Sequence, residues 1–238
     1  MTGTAEDRRL QSWLRVLVTV CGVESGLALA YLLGTDAGLA APATLAVPFV
    51  WLTVAATAVW VVDVPRVPRR VWLGAAVVGG SYTLALAWLT GVVSPSSGAA
   101  TGLDLLFLPP GWGPALGWDG PVVAARLLPY RVAGYLALGY LVAVAAADAA
   151  GPGDRVCSAA GGVVALSSCA GCSLPLVSWL VGGLGSVALV GSLGVGPATY
   201  LLATGSYLAA VGALVWRGRI ATAVDRLWAS LGNGETPR

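Results

Sequence analysis

Six stretches of this chain are long and apolar enough that water cannot be their main neighbour. They lie at about Trp13–Leu33, Thr44–Val62, Val71–Val93, Leu128–Ala147, Val156–Val181 and Pro197–Trp216, each closed by charge or by Gly/Pro-rich punctuation. A helix needs about 20 such residues to cross a hydrocarbon core of ~30 Å. The surface balance agrees, because only 10% of the 238 residues are charged while 57% are hydrophobic. A soluble domain carries roughly 25% charged residues. The expected fold is therefore an all-α integral membrane protein, one polytopic domain over residues 1–238, with a bundle of about six transmembrane helices in a cell membrane and the lipid bilayer as its main partner.

Arginine placement sets the expected orientation. Arg8, Arg9 and Arg15 sit at the N-terminus, Arg66, Arg69 and Arg70 fill the link between the second and third spans, Arg155 opens the fifth, and Arg217, Arg219 and Arg226 follow the sixth. Loops 34–43 and 94–120 hold Asp36, Asp104 and Asp119 but no Arg. Positive charge marks the cytoplasmic side, so both termini are expected there. The outer loop 94–120, rich in Gly and Pro and carrying Trp112 and Trp118, is expected to lie on the bilayer or over the bundle. Beyond the last span, Ile220, Val224, Leu227, Trp228 and Leu231 share one helical face, which predicts an interfacial helix over 218–231.

The residues that break the apolar rule are few. Glu24 falls near the middle of the first span and Arg131 just inside the outer end of the fourth. Ionisable groups at such depth face the bundle interior and pair, so a buried Glu24–Arg131 ion pair is expected, as a polar route or as a static tie between helices. Cys169 and Cys172 are three apart and share a helix face, and Pro175 kinks the helix beside them. The chain has no His, and Met occurs once. Two thiols without imidazole or thioether partners favour a soft ion such as Cu(I) or dithiol–disulfide cycling, and equally serve as small apolar packing groups. Cys21 shares a face with Glu24 and is a candidate third ligand.

The run Cys169, Cys172, Pro175, Leu176, Gly182, Gly183 and Gly185, followed by the span Pro197–Trp216, resembles the first hairpin of mercuric-ion transport membrane proteins. The likeness covers residues 167–216. The family's cysteines are adjacent, whereas Ala170 and Gly171 separate these two. The resemblance implies membrane cysteines that hand a thiophilic cation across the bilayer.

No phosphate-binding loop, dinucleotide fingerprint or nucleophile elbow is present. A net charge of +2 without a basic cluster gives no footprint for nucleic acid. The sequence thus points to a transport, permease-type or delivery component, in one version for a soft metal ion, with a cytoplasmic ATPase as the subunit that would supply energy. The alternative is a non-catalytic subunit or assembly factor of a larger membrane complex, and the third reading is an intramembrane thiol oxidoreductase.

Overall fold

The computed structural model describes residues 5–39, 42–96, 98, 101–150 and 197–217. Five α-helices stand among them: α1 (Ala5–Gly34), α2 (Pro42–Val61), α3 (Arg69–Leu89), α4 (Pro129–Ala149) and α5 (Pro197–Val215). They match five of the expected spans. The span expected at 156–181 and the interfacial helix at 218–231 lie outside the described residues. Three stretches, Gln11–Gly34, Arg69–Leu89 and Pro129–Ala149, are helices long and apolar enough to cross a membrane, and Leu45–Val61 and Ala203–Val215 are shorter apolar helices.

The all-α six-helix expectation fails in the outer loop. Between α3 and α4 the chain forms four strands, β1 (Val93–Pro95), β2 (Gly102–Leu106), β3 (Ala115–Asp119) and β4 (Val123–Leu127). They make an antiparallel sheet in the order β1-β4-β3-β2. The register pairs Leu103 with Trp118, Leu105 with Leu116, Leu116 with Leu127 and Trp118 with Ala125, so these six side chains share one face. Asp104, Asp119 and Arg126, the charged residues of the strands, all stand on the opposite face, where Arg126 approaches Asp119 at 3.9 Å. Alternation between apolar and polar faces gives the segment a reason to pair as strands, and a featureless loop would have left that pattern unused.

Helices α2 and α4 are central. α4 packs on α3 and α2, α2 also packs on α5 and α1, and α4 meets α5. The seam between α3 and α4 is close because both sides lack side chains there. A Cβ added at Gly79 would collide with the Gly139 carbonyl oxygen, and one at Gly139 with Thr83 Oγ1. The space instead admits a hydroxyl, and Thr83 Oγ1 donates to the Gly79 carbonyl at 3.0 Å in its own helix and lies 3.3 Å from the Tyr135 carbonyl across the seam. Small residues let backbones approach and a hydroxyl ties them, as in helix packing within membranes.

The core above this seam is aromatic. Trp51, Tyr130, Tyr135 and Tyr207 are buried together. Trp112, carried by the link between β2 and β3, meets Tyr130 edge-on at 5.0 Å and Tyr200 at 5.2 Å. Beside it Gly111 has φ +84, and a side chain there would run into Pro48. The link therefore seats on the ends of α2, α4 and α5 through Trp112 and closes the bundle at one end.

Candidate functional site

Three helices each turn one face toward a shared cavity. α2 contributes Leu52, Ala55, Ala56 and Val59, and α4 contributes Ala133, Leu136, Ala137 and Tyr140. Both sets follow the i, i+3, i+4, i+7 spacing of one helical face. α1 adds Val20 and Glu24, and the volume of this open cavity is about 560 Å³. The alanines on α2 and α4 create the space, since longer side chains at those positions would fill it. Val59 and Leu136 are exposed, so the cavity opens through the apolar outer surface of the bundle.

Glu24 is the acidic group of this cavity, and its two oxygens differ. Oε2 accepts a hydrogen bond from Thr53 Oγ1 at 2.9 Å. Oε1 is buried and has no hydrogen-bond partner. Cys21 Sγ lies 3.9 Å from the same Thr53 oxygen. Because the Thr53 proton is committed to Glu24, the thiol is left as the donor of that weak contact, and a directed chain runs from Cys21 through Thr53 to Glu24. A carboxylate oxygen removed from water without a partner is costly, typically several kcal/mol for a charged group in an apolar site.

The expected Glu24–Arg131 ion pair does not form. Arg131 turns to its neighbour, its Nε donating to the Tyr130 hydroxyl at 3.1 Å while the guanidinium lies 5.8 Å from that ring's centre. Depth explains the mismatch. Glu24 is ten residues from the end of α1 and Arg131 only two from the start of α4, a difference of roughly 12 Å along the axes. Both ends are at the closed end of the bundle, where Tyr31 lies 6.4 Å from Phe107 and Tyr130 meets Trp112. Two other arginines pair elsewhere, Arg217 with Asp148 at 2.8 Å and Arg126 with Asp119 at 3.9 Å.

Cys169, Cys172 and Pro175 lie outside the described residues. Among the described residues no group of three or more Cys, Asp or Glu could hold a metal ion, so Cys21 and Glu24 alone do not make a metal centre. Sequence reasoning found Glu24 and Cys21 but missed Thr53 and Tyr140. Thr53 was legible as a hydroxyl inside an apolar span. Its pairing with α1 required knowing that these two helices touch.

The described architecture is a bundle of apolar helices, three of them of membrane-crossing length, closed at one end by a small antiparallel sheet and holding a carboxylate-bearing cavity. The chain belongs to DUF7546, a family of unknown function, whose match spans residues 2–221. No curated protein and no solved structure matches it.

Proposed function

We propose that this chain is a multi-pass membrane protein of the transport or delivery type, in which the cavity between α1, α2 and α4 receives a small solute at Glu24. The observation that carries the reading is Glu24, the one acidic residue in the otherwise mostly apolar lining of a cavity of about 560 Å³ between α1, α2 and α4, held there by the Thr53 hydroxyl. An ionisable group inside an apolar helix is expensive, and in membrane bundles such groups mark substrate or ion routes. Pockets that bind small molecules combine apolar walls with a few placed polar groups, which describes this one.

The test is a thermal-shift panel on the purified protein with small cationic, neutral and anionic solutes, run beside Ala56→Phe, which fills the cavity. At least one class should raise the melting temperature of the wild type and lose its effect in the filled variant. Absence of any shift, or a shift that survives Ala56→Phe, removes the cavity from the function.

A second reading, a non-catalytic subunit of a larger membrane complex, is favoured by α1. Its Val18, Leu27 and Leu33 side chains stand exposed. Native mass spectrometry from membranes separates the two, since a stoichiometric second polypeptide supports the subunit and its absence supports the solute carrier. The soft-metal version rests on Cys169 and Cys172. It calls for about one Cu(I) bound per chain and its loss when either cysteine becomes Ser.

A further inference from the structure

Resting on the reading of the Glu24 cavity as a solute site, we infer that the solute is an amphipathic amine: a protonated nitrogen for Glu24 and an apolar body for the alanine-lined walls.

The charge argument comes first. Of the ten residues lining the cavity, Val20, Leu52, Ala55, Ala56, Val59, Ala133, Leu136 and Ala137 are apolar, leaving Glu24 and Tyr140 as the polar ones. Among the described residues no arginine lines it, and Arg131 is held by Tyr130. A carboxylate therefore faces apolar walls without a counter-charge. A cation that also donates a hydrogen bond satisfies both the charge and the acceptor capacity of the carboxylate, whereas an alcohol satisfies only the bond and an anion is repelled. Thr53 donates to Oε2 at 2.9 Å and so holds the carboxylate in place against the cavity wall. Tyr140 brings an aromatic ring to the same wall, which adds a face that attracts cations.

The second argument separates an amine from a metal ion. Divalent and soft ions need several ligands, and the described residues around Glu24 offer a single carboxylate with no cluster of three donors. An ammonium needs one good acceptor and the rest of its surface can be apolar.

The third argument concerns the body of the ligand. The cavity opens past Leu136, which is 59% exposed, and Val59, which is 40% exposed, through the apolar flank of the bundle. A solute entering there arrives from the lipid side and must itself partition into lipid. A fully polar polyamine or a free amino acid lacks the apolar surface to fill these walls, while a short alkylamine has it.

The experiment uses the full chain in nanodiscs of zwitterionic lipid and three isosteric probes: octylamine, octanol and octanoate, measured by calorimetry at neutral pH with empty nanodiscs as background. Octylamine should bind at least about tenfold more tightly than octanol, the scale of one hydrogen bond to a charged group, and octanoate should not bind. Glu24→Gln, close to isosteric, should remove that preference. Equal binding of octylamine and octanol, or a preference that survives Glu24→Gln, overturns the amine assignment while leaving a solute cavity. Binding of none of the three above background overturns the amine assignment, and with no response in the wider solute panel it overturns the solute site as well. The comparison of probes on the wild type needs no variant, so a poorly folding substitution does not rescue the idea.

Discussion

The indole of Trp51 lies flat on the phenol of Tyr207, with ring centroids 4.1 Å apart and planes 5° apart, and the Tyr207 hydroxyl donates to the Trp51 carbonyl at 3.2 Å. Stack and hydrogen bond together join α2 to α5. A third tie comes from the indole nitrogen, which donates to Thr204 Oγ1 at 3.1 Å. Tyr130 and Tyr135 then meet the same indole edge-on at 5.6 and 5.9 Å. One side chain of α2 thus organises contacts to α4 and α5 at once.

Removing it should be costly. Trp51→Ala is expected to lose about 3–5 kcal/mol, as for large aromatic truncations in close-packed cores. Trp51→Phe should lose less, about 1–3 kcal/mol, because a ring remains for Tyr207 while the bond to Thr204 is gone. Thermal unfolding in a mild detergent, followed by near-ultraviolet circular dichroism, reads both. A Trp51→Ala protein melting with the wild type would mean that this aromatic cluster does not hold the bundle.

The glycines of α3 and α4 give a prediction in which sign carries the information. Gly139→Ala drives a methyl group against Thr83 Oγ1 and the Gly79 carbonyl, and should destabilise by about 1–3 kcal/mol through overpacking. Gly80→Ala, one position from Gly79 but with nothing within 4 Å, should stabilise by about 0.5–1 kcal/mol through helix propensity alone. If both substitutions shift the melting temperature in the same direction, the close seam assigned to Gly79 and Gly139 is misplaced.

Helices were the legible part of this fold, and the physical reason is length. Runs of about 20 apolar residues leave few alternatives, and α2, α3, α4 and α5 begin and end within a few residues of the expected spans. The sheet was harder because its strands are only three to five residues long and are interrupted by Gly102, Gly117 and Pro95. The signal was nonetheless present. Leu103-Asp104-Leu105 and Leu116-Gly117-Trp118-Asp119 alternate with a period of two, and an outer loop rich in Gly and Pro hid that pattern by looking irregular. At the site, the intramembrane carboxylate stood out from the sequence alone. Its partner did not, because depth along two helices is set by where the loops close, and Arg131 was assigned to Glu24 by reach when the nearer acceptor was the adjacent Tyr130 hydroxyl.

Trp112 should act as the fastening between the sheet segment and the bundle, since its ring sits against both Tyr130 and Tyr200. In Trp112→Ala the amides of residues 107–114 should exchange with solvent about tenfold faster or more, while those in the α3–α4 seam keep their protection, because local opening draws on local contacts. Hydrogen exchange with mass spectrometry resolves the two regions. Uniform loss of protection across the bundle would instead show that the cap and the helices unfold as one unit.

The last prediction sets Thr53 against Arg131 as the residue coupled to Glu24. Thr53 Oγ1 donates to Glu24 Oε2, whereas Arg131 is held by Tyr130 and shares no bond with the carboxylate. Thr53→Val removes a donor from a carboxylate that already has one open oxygen, so it should cost about 1–3 kcal/mol. Adding Glu24→Leu to Thr53→Val should recover part of that loss, because no carboxylate then remains to be satisfied. The non-additive energy of this pair is expected to be about 1 kcal/mol or more. Glu24→Leu with Arg131→Leu should instead be additive within about 0.5 kcal/mol, the behaviour of residues that share no partner. Urea- or heat-unfolding of the wild type, the three single variants and the two double variants in one detergent closes both cycles. Strong coupling in the Arg131 cycle and none in the Thr53 cycle would return the carboxylate to an interhelical ion pair, and the cavity would then hold a neutralised group with no call for a ligand.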